Sequence, residues 1–379
     1  MALTLTAEQQ LLKDNATQWF AETAPVSHQR RLRDLKDPLG FSREVWREMG
    51  QLGFLGTAIP EAYGGSGLGT TELGLLLEAA GRTLVPAPLL SSVVLGGGLI
   101  LAGANESQKQ QLLPAIADGR AVVAVAFEET PRFKPHHVAC KAERVGQNYR
   151  LSGHKTFVLD GHVADHLIVS ARTSGAVGDR SGISLFLVEA GRAGLKIERT
   201  QMVDSRNAAK CTLEAVEVPA DALLGREDRG ADLLDPALDR AAVCAAAELS
   251  GIIQQAYTTT LEYLKVRVQF DALIGSFQAL QHRAASMFCE IELTKSLLLD
   301  ALSAIDEGRE DAALMASAAK ARLSDASRWI TREAIQLHGG IGMTDEHDIG
   351  LYLKRAAVAE ATFGDAAYHR DRFARLKGF

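Results

Sequence analysis

Cysteine is scarce in this chain. The 379 residues include four, Cys140, Cys211, Cys244 and Cys289, with no CxxC pair among them. That sets aside a disulfide framework and a cysteine-built metal site, and reads as buried thiols in a reducing compartment. Positive charge is in deficit: 41 Lys and Arg against 47 Asp and Glu leave a net charge of −6, which argues against a nucleic acid as partner. Long apolar runs are missing too. Even Val93 to Ala102 is too short to span a bilayer, so no membrane insertion is expected. The opening MALTLTAEQQLLKD has neither a basic n-region nor an apolar h-region, so no signal peptide is expected and a cytoplasmic location is. There is no internal repeat and no low-complexity linker. What remains is 47% hydrophobic, enough for a large core without staples, and long enough for two or three domains.

The pattern along the chain changes twice. Residues 1–119 read as a helical domain. Thr6 with Gln9 makes a capping box ahead of Leu11, Leu12, Trp19 and Phe20, and Ser42 caps a helix carrying Val45, Trp46, Met49 and Leu52. Further helices are expected over 71–81, 88–102 and 107–118. The glycine-rich piece from Glu61 to Gly67 lacks the lysine and spacing of a P-loop and reads as an irregular connection. Residues 120–228 hold short β-rich runs at 121–127, 149–152, 155–159, 166–171, 183–188, 195–199 and 211–218, with turns at Gly153 and Gly161, predicting a small antiparallel sheet or barrel. Residues 229–379 return to helix, over about 236–265 with Pro236 as first residue, 277–305, 311–338 and 349–363. Apolar on one face, these make a four-helix bundle. The expected class is α+β multidomain: an N-terminal α-helical domain, a middle antiparallel β domain and a C-terminal four-helix bundle.

Two stretches of the last part carry chemistry. Between Tyr263 and His282 a turn separates two long helices and gathers Arg267, Gln269, Phe270 and Gly275. A guanidinium fork, an amide and an aromatic suit a phosphorylated aromatic ligand, although Arg-x-Gln-Phe also serves as an ordinary helix end. The second stretch, Gln336 to Thr344, ends a helix and places Gly339, Gly340 and Gly342 together. Such glycines permit positive φ and close approach of a ligand to backbone, or simply cap the helix. Of the histidines, His136-His137 reads as a polar loop with no third metal ligand at convincing spacing, and His338 as a helix cap.

Together with Phe277-Gln278, His282 and the helix–β–helix order, these stretches resemble the acyl-CoA dehydrogenase family over nearly the whole chain. They match its Arg-x-x-Phe-Gly-x-x-Ile-x-x-Phe-Gln corner and its Gln-x-x-Gly-Gly-x-Gly stretch. Glu61 to Gly67 falls where the family has a Pro-Glu-x-x-Gly-Gly loop. Gly275 to His282, Gln336 to Thr344 and Phe363 to Ala366 are most similar to its small-subunit type, as in pimeloyl-CoA dehydrogenase. The resemblance implies an FAD cofactor, an acyl-CoA thioester substrate, an electron-transfer flavoprotein as acceptor, and a homotetramer or a heteromer with a related subunit. It assigns Arg267, Gln269, Phe270, Phe277, Gln278, Gln336, Gly339 and Gly340 to the diphosphate and adenine part of an FAD held mainly by a neighbouring subunit, and Phe157 to covering the flavin ring. The implied reaction is αβ-dehydrogenation, a carboxylate removing the α proton and the β hydride passing to flavin.

Three departures bear on that chemistry. The family's usual base position falls on Gly364. The motif Thr-Glu-Pro-Gly-x-Gly-Ser-Asp is replaced by Glu128-Glu-Thr-Pro-Arg-Phe-Lys-Pro135. Its Trp-x-Thr becomes Phe157-Val-Leu159. Asp239, just before Arg240 on the first bundle helix, matches the base position of other members and is the first choice for the catalytic carboxylate; Glu360 and Asp365 follow. Gly364 and Leu159 hint at room for a bulky acyl group. The competing reading is a non-catalytic or half-site subunit that completes a partner's FAD site.

Overall fold

A computed structural model describes residues 4–379. In chain order the N-terminal helical domain holds α1 (Ala7–Thr23), α2 (Val26–Asp34), α3 (Arg43–Gln51), α4 (Thr70–Thr83), a π-helical segment (Leu89–Gly97), α5 (Gly98–Gly103) and α6 (Glu106–Ala117). The middle domain contributes β1 (Val123–Ala126), β2 (Lys141–Val145), β3 (Asn148–Leu159), β4 (His166–Arg172), β5 (Ile183–Glu189), β6 (Leu195–Gln201), β7 (Asn207–Val218) and β8 (Leu223–Leu224). The C-terminal helical domain holds α7 (Gly230–Val266), a small hairpin of β9 (Val268–Gln269) and β10 (Ala272–Leu273), then α8 (Gln278–Asp306), α9 (Ala312–His338), α10 (Ile349–Ala361) and α11 (Ala366–Leu376). Local signals work where the sequence placed them. Thr6 and Gln9 close a reciprocal box on α1, and Ser42 accepts from the Val45 amide at 3.2 Å. Among the described residues no helix is long and apolar enough to cross a membrane.

These residues pack as two compact units. One comprises residues up to 32, 70–85 and 242–379; the other 33–69 and 86–241. The helical unit is built on close approach. A Cβ on Gly251 of α7 would overlap the Glu78 carbonyl of α4, and one on Gly81 would overlap the Glu248 carbonyl. Only hydrogen fits at either point. Arg355 of α10, fully buried, reaches Glu248 at 3.3 Å and donates to the Leu84 carbonyl at 3.0 Å.

The β unit is one sheet in the order β6-β7-β3-β2-β4-β5-β8, with β1 beside β4. It is mixed rather than antiparallel throughout, because β1 runs parallel to β4 with Val123 opposite His166. The two runs expected at 149–152 and 155–159 are one strand, β3. Gly153 is not a turn but a point of close contact, where a Cβ would lie 2.7 Å from Cys140 Cα. Strand β2 had no counterpart in the sequence reading. The expected helix over 88–102 is divided into the buried π segment and α5, and α7 begins at Gly230 with Pro236 inside it rather than at its start. Cys289 is exposed, unlike the three buried cysteines, because it sits on the outer face of α8.

Candidate functional site

The helical unit brings the two glycine-containing stretches together. At the end of α7, Phe270 and Asp271 take φ of +54° and +56°, the left-handed pair of a two-residue hairpin loop joining β9 to β10. The Ile274 amide closes it by donating to the Arg267 carbonyl at 2.9 Å. The turn lifts Phe270 to 87% exposure, edge-on to Phe277 at 6.3 Å. Arg267, Gln269 and Gln278 are exposed, and their side chains bond nothing among the described residues.

His338 makes the second connection; the sequence leaves it between a cofactor contact and a helix cap, with the cap favoured. Its Nδ1 donates to the Ala334 carbonyl at 2.7 Å inside α9. Its ring stacks on Tyr263 of α7 at 4.5 Å and packs against His347 at 4.5 Å. Burial first, then His347, holds this imidazole below its ordinary pKa, so it is a neutral spacer between two helix ends. Beyond it Gly339 has φ of +64°, and a Cβ at Gly339 or Gly340 would meet nothing within 4 Å. Gln336, one turn earlier, is exposed and unbonded among the described residues. The result is an unpaired guanidinium, three free amides, an aromatic and an open stretch of glycine backbone. That donor set fits a dinucleotide's phosphates and purine.

Around Gly364 the space is filled. With φ of +98°, a Cβ there would lie 2.7 Å from Tyr368 Cδ1 and 3.0 Å from His369 Nε2, so the room expected at this position is taken by α11. Lys320, fully buried, donates to the Glu360 and Gly364 carbonyls at 2.8 Å each, and burial pulls its pKa down to about 7. His369 Nε2 donates to the Phe363 carbonyl at 2.9 Å, and burial pushes its pKa down to about 3. Glu360 is not a solvated carboxylate: it is buried and ion-paired with Arg328. Asp365 caps α11, accepting from the Tyr368 amide at 2.8 Å. Neither is free to act as a base.

The β unit holds the remaining candidates. Asp239 is half-buried in the third turn of α7. One turn earlier Asp235 accepts from His136 Nε2 and Arg180 Nε, each at 2.7 Å, so His136 is tied to α7 by a hydrogen bond. Beside Asp239, the Arg240 guanidinium lies where a Cβ on Gly98 would be 3.2 Å from its Nη1. Phe157, half-buried, sits at φ of +51° in a bulge of β3. Two adjacent carboxyls end the segment after β1. Glu129 accepts from Lys155 Nζ at 2.6 Å and from the Ala139 amide at 2.7 Å, and Lys155 also donates to Ser170 at 2.9 Å. Glu128 is only 8% exposed and has no side-chain bond among the described residues. Burial alone pushes its pKa up to about 8. The sequence reading treated Glu128-Glu129 only as a departure from a motif. The available signal was a pair of acids closing an apolar strand.

Comparisons with known proteins identify the family. Family profiles match in order: acyl-CoA dehydrogenase N-terminal domain at residues 6–120, middle domain at 128–216 and C-terminal domain at 228–377. The acyl-CoA dehydrogenase FadE12 of Mycobacterium tuberculosis is 30% identical over 93% of this chain and 91% of its own length. Among solved structures, the Tcur3481-Tcur3483 steroid ACAD, solved as a variant, is 33% identical with a TM-score of 0.89, covering 99% of both chains. The ChsE4-ChsE5 complex from Mycobacterium tuberculosis is 27% identical with a TM-score of 0.90, covering 100% of this chain and 99% of the other. Three profiles in sequence and relatives spanning the full fold make this chain a member of the acyl-CoA dehydrogenase family, and a flavin-dependent acyl-CoA dehydrogenase.

Proposed function

We propose that this chain takes part in αβ-dehydrogenation of an acyl-CoA thioester with FAD as cofactor, in an oligomer whose subunits share each FAD. The observation that carries the reading is the corner where the side chains of Arg267, Gln269, Gln278 and Gln336, exposed and unbonded among the described residues, stand with the exposed backbone of Gly339-Gly340. Side-chain donors satisfied by nothing among the described residues suit a cofactor held mainly by a neighbour. Bound FAD supplies the acceptor for the substrate's β hydride. Arg267 would hold the phosphates, the glutamine amides would hold phosphate and adenine, and the glycine backbone would leave the diphosphate room. Phe157 would cover the ring system. Asp239 is the base: its carboxylate takes the α proton, which becomes removable once hydrogen bonds polarise the thioester carbonyl and water is excluded. An electron-transfer flavoprotein is the proposed acceptor, and the cytoplasm the proposed location.

A second reading has specific support. Gly364 is closed by Tyr368 and His369, Glu360 is neutralised by Arg328, and two structural relatives are named as two-component assemblies. The chain is then a half-site subunit of a heteromer that completes a partner's FAD site. One experiment separates the two: the visible spectrum of the chain purified alone, followed by an anaerobic panel of acyl-CoA esters. A yellow protein bleached by one ester, with bleaching lost in Asp239→Asn, supports the self-sufficient enzyme. A colourless protein, or one no thioester bleaches, supports the half-site subunit. Arg267→Ala is expected to weaken FAD retention by about tenfold or more, the scale of a charged hydrogen bond of about 1.5–3 kcal/mol, while circular dichroism stays unchanged.

A further inference from the structure

Three rings from three separate segments meet at the Arg267 corner. Tyr263 lies one turn before Arg267, and the Arg267 amide donates to its carbonyl at 3.0 Å. His338 ends α9, between Gln336 and the glycines. His347 precedes α10, and its Nδ1 accepts from the Ile349 amide at 3.1 Å. His338 is the middle ring, 4.5 Å from each of the others, whereas Tyr263 and His347 are 6.1 Å apart. The glycine turn folds back onto it: a Cβ on Gly342 would lie 3.0 Å from His338 Cβ and 2.8 Å from the Ile335 carbonyl oxygen. His338 therefore touches both halves of the corner. Its Nδ1 is used inside α9, while Nε2 is fully buried and bonds nothing among the described residues. A proton on Nε2 would bury a cation without a counter-ion, which is costly. The carboxylates of the same segments are engaged elsewhere or lie in solvent: Glu262 pairs with Lys265, Glu333 with Arg283, Asp345 and Asp348 with Arg30 of α2, and Glu346 is exposed.

We propose that His338 is a positioning residue for the cofactor: while its Nε2 is bare, the Tyr263–His338–His347 stack holds the Arg267 turn and the Gly339-Gly340 backbone in register, and a proton there parts them. This rests on the FAD reading above and adds to it a residue that sets the corner without touching the ligand. Burial, then His347, holds the imidazole below its ordinary pKa, so the folded chain keeps Nε2 bare where an unfolded chain takes up a proton. The bracket is thus intact above the ordinary histidine range and is lost as pH falls below it. Tyr263 and His347 supply ring faces and no charge-compensating group, so the stack itself offers the proton no partner.

The test is FAD binding to the full chain freed of flavin, followed by flavin fluorescence at about pH 8 and about pH 5, in the wild type, His338→Phe and His338→Ala. Phenylalanine keeps a ring in the stack and has no nitrogen to protonate. The wild type is expected to bind at least about tenfold more weakly at the lower pH. His338→Ala is expected to bind that weakly at both, and His338→Phe to restore binding at the higher pH and to lose the pH step. Hydrogen exchange, measured without FAD and compared at one pH, is expected to quicken over residues 263–274 and 336–349 together in His338→Ala but not in His338→Phe. A pH step of equal size in the wild type and His338→Phe, or exchange that quickens in one stretch alone, overturns the role while the FAD reading stands. A wild type that takes up no FAD at either pH removes the self-sufficient FAD reading and this role together.

Discussion

A carboxyl held neutral at Glu128 makes stability fall as pH rises. Its pKa is about 8 in the folded chain and near the ordinary carboxylate value when unfolded, so between those values the folded state holds the extra proton. The cost is absent below the unfolded value and complete above about 8. Glu128→Gln should therefore unfold later than the wild type at pH 7, by up to about 3 kcal/mol, with the gap closing toward pH 4.5 in urea titrations. An unchanged gap across that range would contradict it. Gly364 supplies a second case. Its positive φ and the contacts with Tyr368 and His369 mean that Gly364→Ala should cost about 2 kcal/mol, read as a lower thermal midpoint. Much was legible at this scale. The turn that gathers Arg267, Gln269 and Phe270 was legible because residues within a few positions set it, and so were the glycines that end α9. The link made by His338 and Tyr263, and the burial of Glu128, were not legible, since both depend on neighbours from distant segments.

Elements were legible where their determinants are local. The capping box on α1, the turn that holds Phe270 and the long C-terminal helices follow from residues within a few positions. They were misjudged where a partner decides. Gly153 reads as a turn in isolation, yet β7 runs alongside and carries the strand through, and Cys140 explains why no side chain is tolerated. The π-helical segment offered no local cue beyond Gly96-Gly97-Gly98, and its Gly96 lies against the Val123 carbonyl of β1. The same reasoning makes the α4–α7 contact testable. Gly81→Ala and Gly251→Ala each push a methyl into opposing backbone, so each should cost about 3 kcal/mol or more, as measured by chemical denaturation. Alanine at the exposed Gly340, where a Cβ meets nothing, should cost well under 1 kcal/mol and serves as the control.

At the scale of the molecule, the three-part order was legible because the hydrophobic period switches from helix to strand and back. The two compact units were not, since the N-terminal helices divide between them, α1 and α4 joining the C-terminal helices. That division rests on packing between segments far apart in sequence. Assembly is the matching prediction. Phe270 and Met343 are 87% and 79% exposed around the Arg267 corner, so Phe270→Asp should shift light-scattering mass toward smaller species and lower flavin content together. A change in one without the other would separate cofactor binding from association. The corner also has a consequence for the life of the chain in the cell. Its hairpin is complete as soon as residues 267–274 have folded, whereas in the proposed assembly its cover would come from another chain. On that proposal a newly made copy without a companion displays Phe270 to chaperones and proteases, so surplus copies are expected to be cleared rather than stored.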